Sequence, residues 1–322
     1  MKIQRFGVSA AFVLAGALAL SACGGQEAES GSTGTDGAAA LSGSIASDGS
    51  STVGPLTSAA AELFMGENSG VQITVGTSGT GGGFKKFCEG QTQLSNASRP
   101  IKDEEKAACE ANGIEYQEVI VANDAMTVVV NKENTFAKCL TVQELNTMWA
   151  PEAAGKIMTW NQVNPAFPAE NLKLYGPGTD SGTFDYFTDE INGEEGASRT
   201  DYEPSEDDNI IVQGVSGDKN ALGYFGFTFF EENADKLNAV EIDNGEGCVA
   251  PSSETARDGS YAPLARPLFV YVDKKAFASN PALNSFMNFY IENDTAIAEA
   301  AKYIPLSDEQ KKTAQDELAS LG

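Results

Sequence analysis

Histidine is absent from the 322 residues. With it go the imidazole general base, the Ser-His and Cys-His nucleophile pairs and the commonest zinc ligand. Basic residues are scarce, 21 Lys+Arg against 46 Asp+Glu, for a formal net charge of −25. A nucleic-acid binder draws most of its affinity from counterions released by a basic face, so that class is excluded. Cysteine is limited to five residues and no CxxC spacing occurs, which removes the usual thiolate metal sites. The apolar run Phe6 to Leu20 falls short of the ~20 residues a spanning helix needs and has no basic stop-transfer flank. What is present is the composition of a folded chain, 41% hydrophobic and 9% aromatic, with 33 glycines for tight loops. The length exceeds one ordinary core and points to two domains.

Lys2 and Arg5 precede that apolar run, and Ser21-Ala22-Cys23-Gly24 follows it. This order of charge, apolar stretch and small residues is an export signal, expected over residues 1–22. Leu20-Ser21-Ala22-Cys23 resembles the bacterial lipobox, which makes Cys23 the expected acylated residue and the anchor to the cell membrane. Residues 23–40, rich in Gly, Ser, Thr and Ala, cannot bury apolar surface and read as a flexible tether. The four remaining cysteines, Cys88, Cys109, Cys139 and Cys248, imply two disulfides in an exported chain, with three pairings open.

From Leu41 onward a strand, a polar turn and a helix recur. Leu41 to Ser47 leads through Asp48-Gly49-Ser50-Ser51-Thr52-Val53-Gly54-Pro55 into LTSAAAELF. Pro55 suits a first helical turn, and Ser51 or Thr52 is expected to cap the amides before it. Val71 to Val75 then leads through Gly76 to Gly83 into FKKFCEG, and the loop Ala97-Ser98-Arg99-Pro100 precedes a helix over 102–112. Ile120 to Val130 is apolar enough for a buried strand. Further on, Thr141 to Trp149 reads as a helix, and Asn171 to Tyr175 as a strand that runs through Gly176 to Thr183 into FDYFTDEI. Ile210 to Val212 is a short apolar segment before a loop at Gly214-Val215-Ser216-Gly217, and Ala221 to Phe230 is a core strand with its turn. Arg266 to Val272 is a strand, and helices follow over 281–293 and 308–321. Alternating strands and helices predict an α/β fold with mainly parallel sheets. The ten acids between Asp185 and Asp208, with Arg199 their only base, lack the ligand spacing of a calcium loop and read as a solvated surface.

The chemistry sits in polar loops. Ser51-Thr52-Val53, Thr77 to Gly83 and Asp180 to Thr183 each join a predicted strand to a helix, so they face one sheet edge. Amides at a helix start point outward unpaired and carry roughly half a positive charge together, so glycines and hydroxyls placed there invite an oxyanion. One such loop supplies only a cap and a turn; three in one chain can converge on a shared guest. Arg99 adds a planar fork of donors suited to a tetrahedral oxyanion.

These motifs resemble the substrate-binding lipoproteins of bacterial phosphate ABC transporters (PstS-type), within the type II periplasmic-binding-protein superfamily. The likeness runs from about Ser44 to Pro305 and rests on GSSTVGP at 49–55, GTGGGFK at 79–85, NASRP at 96–100, GTDSGTF at 178–184, ALGY at 221–224 and RPL at 266–268. It implies two α/β lobes, each a mainly parallel sheet flanked by helices, with two crossover strands forming a hinge: lobe 1 from 41–121 and 262–322, lobe 2 from 122–261. Those lobes favour the pairings Cys88–Cys109 and Cys139–Cys248, each within one lobe.

The resemblance further implies inorganic phosphate as ligand, held by Ser51, Thr52, Val53, Thr80 with its neighbour Ser78, Ser98, Ser181, Gly182 and Thr183. Better-known members carry an aspartate where Arg99 stands and an arginine near the place of Pro177. Arg99 is therefore expected to supply the guanidinium, and Asp180 the acceptor for the proton that phosphate keeps at neutral pH. The expected function is capture of phosphate and its delivery to the membrane permease of an ABC importer, by a monomer with no cofactor, no metal and no catalytic residue. The alternatives are another tetrahedral oxyanion such as sulfate or molybdate, a phosphatase-like enzyme with Ser51 or Thr52 as nucleophile, and an adhesion or signalling lipoprotein.

Overall fold

A computed structural model describes residues 41–322. The expected signal at 1–22, the tether at 23–40 and the lipid site Cys23 lie outside the described residues. No described helix is long and apolar enough to cross a membrane.

Twelve strands occur among the described residues: β1 (Ser42–Gly49), β2 (Gly70–Val75), β3 (Leu94–Ala97), β4 (Tyr116–Asn131), β5 (Cys139–Thr141), β6 (Lys173–Gly176), β7 (Glu203–Pro204), β8 (Ala221–Gly226), β9 (Leu237–Ala239), β10 (Glu241–Asp243), β11 (Cys248–Val249) and β12 (Ala265–Asp273). Nine form one sheet in the order β2-β1-β3-β12-β4-β8-β6-β7, with β9 also on β4, and β11-β10-β5 form a second. The strand 116–131 is long because it serves two halves. Its first part pairs β12 from Tyr116 to Ala125, and its last part pairs β8 from Met126 to Val130. In the large sheet every antiparallel pairing involves β4 or β12, while β1, β2 and β3, and likewise β6, β7 and β8, lie parallel to one another. This is the α/β grammar read from the sequence, with β4 and β12 running between the lobes.

Two cores flank the crossing strands. The first packs Leu56, Ala60 and Phe64 of the helix Gly54–Glu67 against Ile45, Val121 and Val270, with Phe286 and Tyr290 of the helix Pro281–Glu292. The spacing i, i+4, i+8 along Gly54–Glu67 is what turns those side chains to one face. The second gathers Trp149, Trp160, Phe187 and Tyr224, with the Phe187 and Tyr224 rings stacked at 3.8 Å. Each buried aromatic or aliphatic side chain contributes about 1.5–3 kcal/mol of transfer free energy, so both halves have a core of their own. The aromatics of Ala221 to Phe230 serve packing, as expected: Tyr224, Phe225 and Phe227 are buried. The disulfides are Cys88–Cys109 and Cys139–Cys248.

One stretch departs from the sequence reading. Residues Asp208–Gly217 form a helix, not a short apolar segment and a loop. Asp207 caps it by accepting the amide of Asn209, and Ile211, Val212 and Val215 bury one face. Gly214, expected in a loop, lies within this helix, and a Cβ there would stand 2.3 Å from the Tyr175 ring. The glycine permits close approach of helix to β6.

Candidate functional site

The loops after the parallel strands β1, β2 and β3 reach one place, where the helix Gly182–Asn192 and Arg266 of β12 face them across a cleft of about 440 Å³. A crevice outside the carboxyl ends of parallel strands is where an α/β sheet offers its helix N-termini.

After β1, Ser50 turns inward and its hydroxyl accepts the amides of Thr52 at 3.2 Å and Val53 at 3.4 Å. The amides ahead of the helix are therefore taken by Ser50 and not by Ser51 or Thr52, and the helix itself has no side-chain cap at Val53; Ser51 and Thr52 line the cleft. After β2, the helix Thr80–Cys88 begins from Gly79 with no side-chain cap. Thr80, Gly81 and Gly82, whose amides open that helix, line the cleft. Gly79 has φ +79 and takes the left-handed turn that a Cβ would strain. Ser98, after β3, donates its amide to the Thr80 hydroxyl at 3.3 Å, and the two hydroxyls lie 3.2 Å apart. On the opposite wall Gly182 approaches so closely that a Cβ on it would stand 3.1 Å from the Thr52 hydroxyl oxygen.

Arg266 lies where the crossing strands meet. It is the register partner of Asp124 on β4, its guanidinium carbon sits 3.4 Å from the centroid of the Tyr186 ring, and Nη2 reaches Asp124 Oδ2 at 3.4 Å and the Thr52 hydroxyl at 3.3 Å. Burial raises the Asp124 carboxyl above its ordinary value, against the opposing pull of Arg266. Burial likewise pushes the Tyr186 phenol well up, and its hydroxyl donates to the Pro263 carbonyl at 2.6 Å. The guanidinium is thus held from three sides, with only part of its fork committed.

Of the residues expected from the sequence, Ser51, Thr52, Ser78, Thr80, Ser98, Arg99 and Gly182 line this cleft. Val53, Asp180, Ser181 and Thr183 are not among its lining residues. Val53 is fully buried and its N–H is turned to Ser50. Ser181 is the helix cap, accepting the Thr183 amide at 3.2 Å. Asp180 is exposed, and its amide donates to Glu206 at 3.3 Å.

Arg99 reaches the cleft, but its two terminal nitrogens grip Glu105 in a bidentate pair at 2.8 and 2.9 Å. Burial works to raise the Glu105 carboxyl, but the Arg99 hydrogen bond and the Lys102 amide outweigh it and hold it below its ordinary value. The pair is therefore a settled one. The residue missed by sequence reasoning is Arg266, although its motif was noted; a lone charge opening the apolar strand RPLFVYV was the available signal.

The acidic stretch is a solvated surface only in part. Asp185, Asp189 and Glu190, one helical face with Gly182 and Tyr186, line the cleft together with Glu195. Burial raises the carboxyls of Asp185 and Glu190, with Glu195 and Asp189 respectively adding repulsion and Arg266 opposing both.

Comparison with known proteins agrees with this geometry. The family model described as a PBP superfamily domain matches residues 34–294. The protein SphX of Synechocystis is 51% identical over 262 residues, covering 81% of this chain and 78% of its own length. The phosphate-binding protein PstS of Staphylococcus saprophyticus is 40% identical over 98% of this chain and 94% of its own. The crystal structure of a possible phosphate-binding protein from Planctomyces limnophilus superposes with a TM-score of 0.82 at 46% identity, covering 87% of this chain and 99% of that one. With a two-lobed α/β fold, a cleft built from loops at one sheet edge and relatives of this identity along its length, the chain belongs to the PBP superfamily, in the PstS family.

Proposed function

We propose that this chain is a lipid-anchored extracytoplasmic receptor that binds inorganic phosphate between its lobes and delivers it to the permease of an ABC importer. The chain is a binding protein and not an enzyme, as its family is. The observation that carries the ligand is the convergence in one cleft of Ser51, Thr52, Thr80 and Ser98, the uncapped helix start at Gly79, and a partly free guanidinium at Arg266. Hydroxyls, first-turn amides and a planar fork are the donor set a tetrahedral oxyanion matches. The reading places Ser51, Thr52, Ser78, Thr80, Ser98 and Gly182, together with Arg266, in contact with phosphate, and leaves Arg99 to Glu105.

The lobes, 41–121 with 262–322 and 122–261, would close about β4 and β12 and bury the anion. Cys23 would carry the lipid, and the chain would act as a monomer. Calorimetry of the purified protein with phosphate, sulfate and arsenate tests the central statement: phosphate binds one to one and sulfate in large excess does not displace it. Absence of heat with phosphate, or equal affinity for sulfate, defeats it. Incorporation of labelled palmitate in growing cells, abolished by Cys23→Ser, tests the anchor.

A further inference from the structure

Phosphate and sulfate have the same shape and differ at neutral pH by a proton, so a receptor that tells them apart must place a hydrogen-bond acceptor where that proton points. Resting on the phosphate reading above, this requirement can be followed through the hydroxyls of the cleft, because each hydroxyl has one hydrogen to give and its neighbours decide where it goes.

Thr52 accepts from Arg266 Nη2 and Thr80 accepts from the Ser98 amide. The Thr52 hydrogen remains available to donate, and the Thr80 and Ser98 hydroxyls, 3.2 Å apart, use one hydrogen between them and leave the other to donate. Ser78 differs. Its hydroxyl donates to Asp48 Oδ1 at 2.5 Å, while its amide donates to the same oxygen at 3.0 Å. Asp48 in turn takes Lys86 Nζ on its other oxygen at 2.6 Å. The carboxylate is packed in place: the Asp48 side chain is 12% exposed, and a Cβ on Gly76 would lie 2.2 Å from its Oδ2. Burial works to raise its pKa, but the hydrogen bonds from Lys86 and Ser78 prevail and keep it below the ordinary value, so at neutral pH Asp48 has no proton to return. Ser78 itself lines the cleft, beside the start of the helix Thr80–Cys88, where a Cβ on Gly82 would stand 2.7 Å from its oxygen.

The geometry points to Ser78 as the residue that reads the phosphate proton, its hydroxyl fixed by the Asp48–Lys86 pair as an acceptor toward the cleft. The acceptor expected at Asp180 lies elsewhere, and Ser78 does the work without its cost. An aspartate in the cleft would repel the anion, whereas Ser78 presents lone pairs on a neutral atom and the charge behind it is already matched by Lys86. Sulfate would set unshared pairs against unshared pairs at this point.

The test is the ratio of sulfate to phosphate dissociation constants, measured by calorimetry and competition on the full chain. Ser78→Ala removes the acceptor and the repulsion together, so phosphate weakens by about tenfold, sulfate does not weaken, and the ratio falls at least tenfold. Asp48→Ala releases the hydroxyl hydrogen toward the cleft, so sulfate gains more than phosphate and the ratio falls again. A merely structural role for the Ser78–Asp48 tie would weaken both anions alike and keep the ratio, which would overturn the inference. It is also overturned if Asp185→Asn collapses the ratio while Ser78→Ala preserves it, since the acceptor would then be a carboxylate of the opposite wall. Failure of the unaltered protein to bind phosphate would defeat the parent reading, and is read separately from these variants.

Discussion

Arg266→Ala is the substitution on which the proposed ligand set depends most. The side chain is 18% exposed and its partner Asp124 is 11% exposed, so the charge acts in a largely desolvated place where screening is weak. A hydrogen bond to a charged group contributes about 1.5–3 kcal/mol, and truncating one member of a buried charged pair costs about 2–5 kcal/mol, much of it from the partner left alone. Both effects apply. The guanidinium is lost to phosphate, and Asp124, whose carboxyl burial already raises, is left facing an anion. A loss of about 3–4 kcal/mol, or roughly two to three powers of ten in Kd, follows. Calorimetry reads it, with thermal unfolding of the free protein to show that the fold persists. Arg266→Ala combined with Asp124→Asn should recover part of the affinity, because the second change removes the unpaired carboxylate. A Kd for Arg266→Ala within threefold of the unaltered protein would refute the reasoning and return the guanidinium role to Arg99.

Four further outcomes are expected. Gly182→Ala puts a Cβ 3.1 Å from the Thr52 hydroxyl oxygen, across the cleft, and should weaken phosphate binding by about tenfold while leaving the melting temperature of the free protein unchanged. Raising ionic strength should leave Kd nearly unchanged in calorimetry, because the cleft has no net positive field for salt to screen; a steep loss of affinity with salt would contradict this. Asp201 is held at about 2, below its ordinary 3.8, chiefly by the hydrogen bond from Arg199. A lowered carboxyl pKa stabilises above its unfolded value and loses that stabilisation as pH falls, so Asp201→Asn should lower the melting temperature at pH 7, with the difference shrinking between about pH 4 and 2. Replacing Cys139 and Cys248 by serine opens a loop of 109 residues and should cost about 4–5 kcal/mol in urea unfolding, against about 3 kcal/mol for Cys88 and Cys109, separated by 21.

Much of this was legible in the chain because local signals and the final fold agree. The strand-turn-helix units from β1 to β3, the apolar strand expected over 120–130 within the longer β4, and both disulfides follow from periodicity, glycine placement and, for the pairings, from the family likeness. What was not legible depends on partners distant in sequence. Arg99 carries the donor fork expected for the oxyanion, but Glu105, on the following helix, fills it. Arg266 looked like the edge of an apolar strand until Asp124, 142 residues away, and Thr52, 214 away, were seen around it. Gly214 signals a turn in sequence and a close packing contact in space. Asp180 sat in the right motif, but the helix behind it took Ser181 as its cap and left the aspartate outside.

The charges of the cleft decide how such a protein can both hold and release an anion. Arg99 is spent on Glu105, Lys86 on Asp48, and Arg266 is shared with Asp124, while Lys102, the remaining cation that lines the cleft, is outnumbered by Asp185, Asp189, Glu190 and Glu195 facing the same space. No net positive field is left to attract phosphate from a distance, in a chain of formal charge −25. Affinity must then come from short donor bonds, which are strong only when the walls exclude water. On the closing motion proposed above, separating Gly182 from Thr52 by a few ångströms rehydrates every one of those bonds at once, and nothing long-range remains to retain the ligand. The same arrangement that makes binding insensitive to salt makes release on opening rapid. A receptor that must surrender its cargo to a permease is therefore served by paired cations behind the cleft, where a cluster of free ones would hold the anion after the lobes had parted.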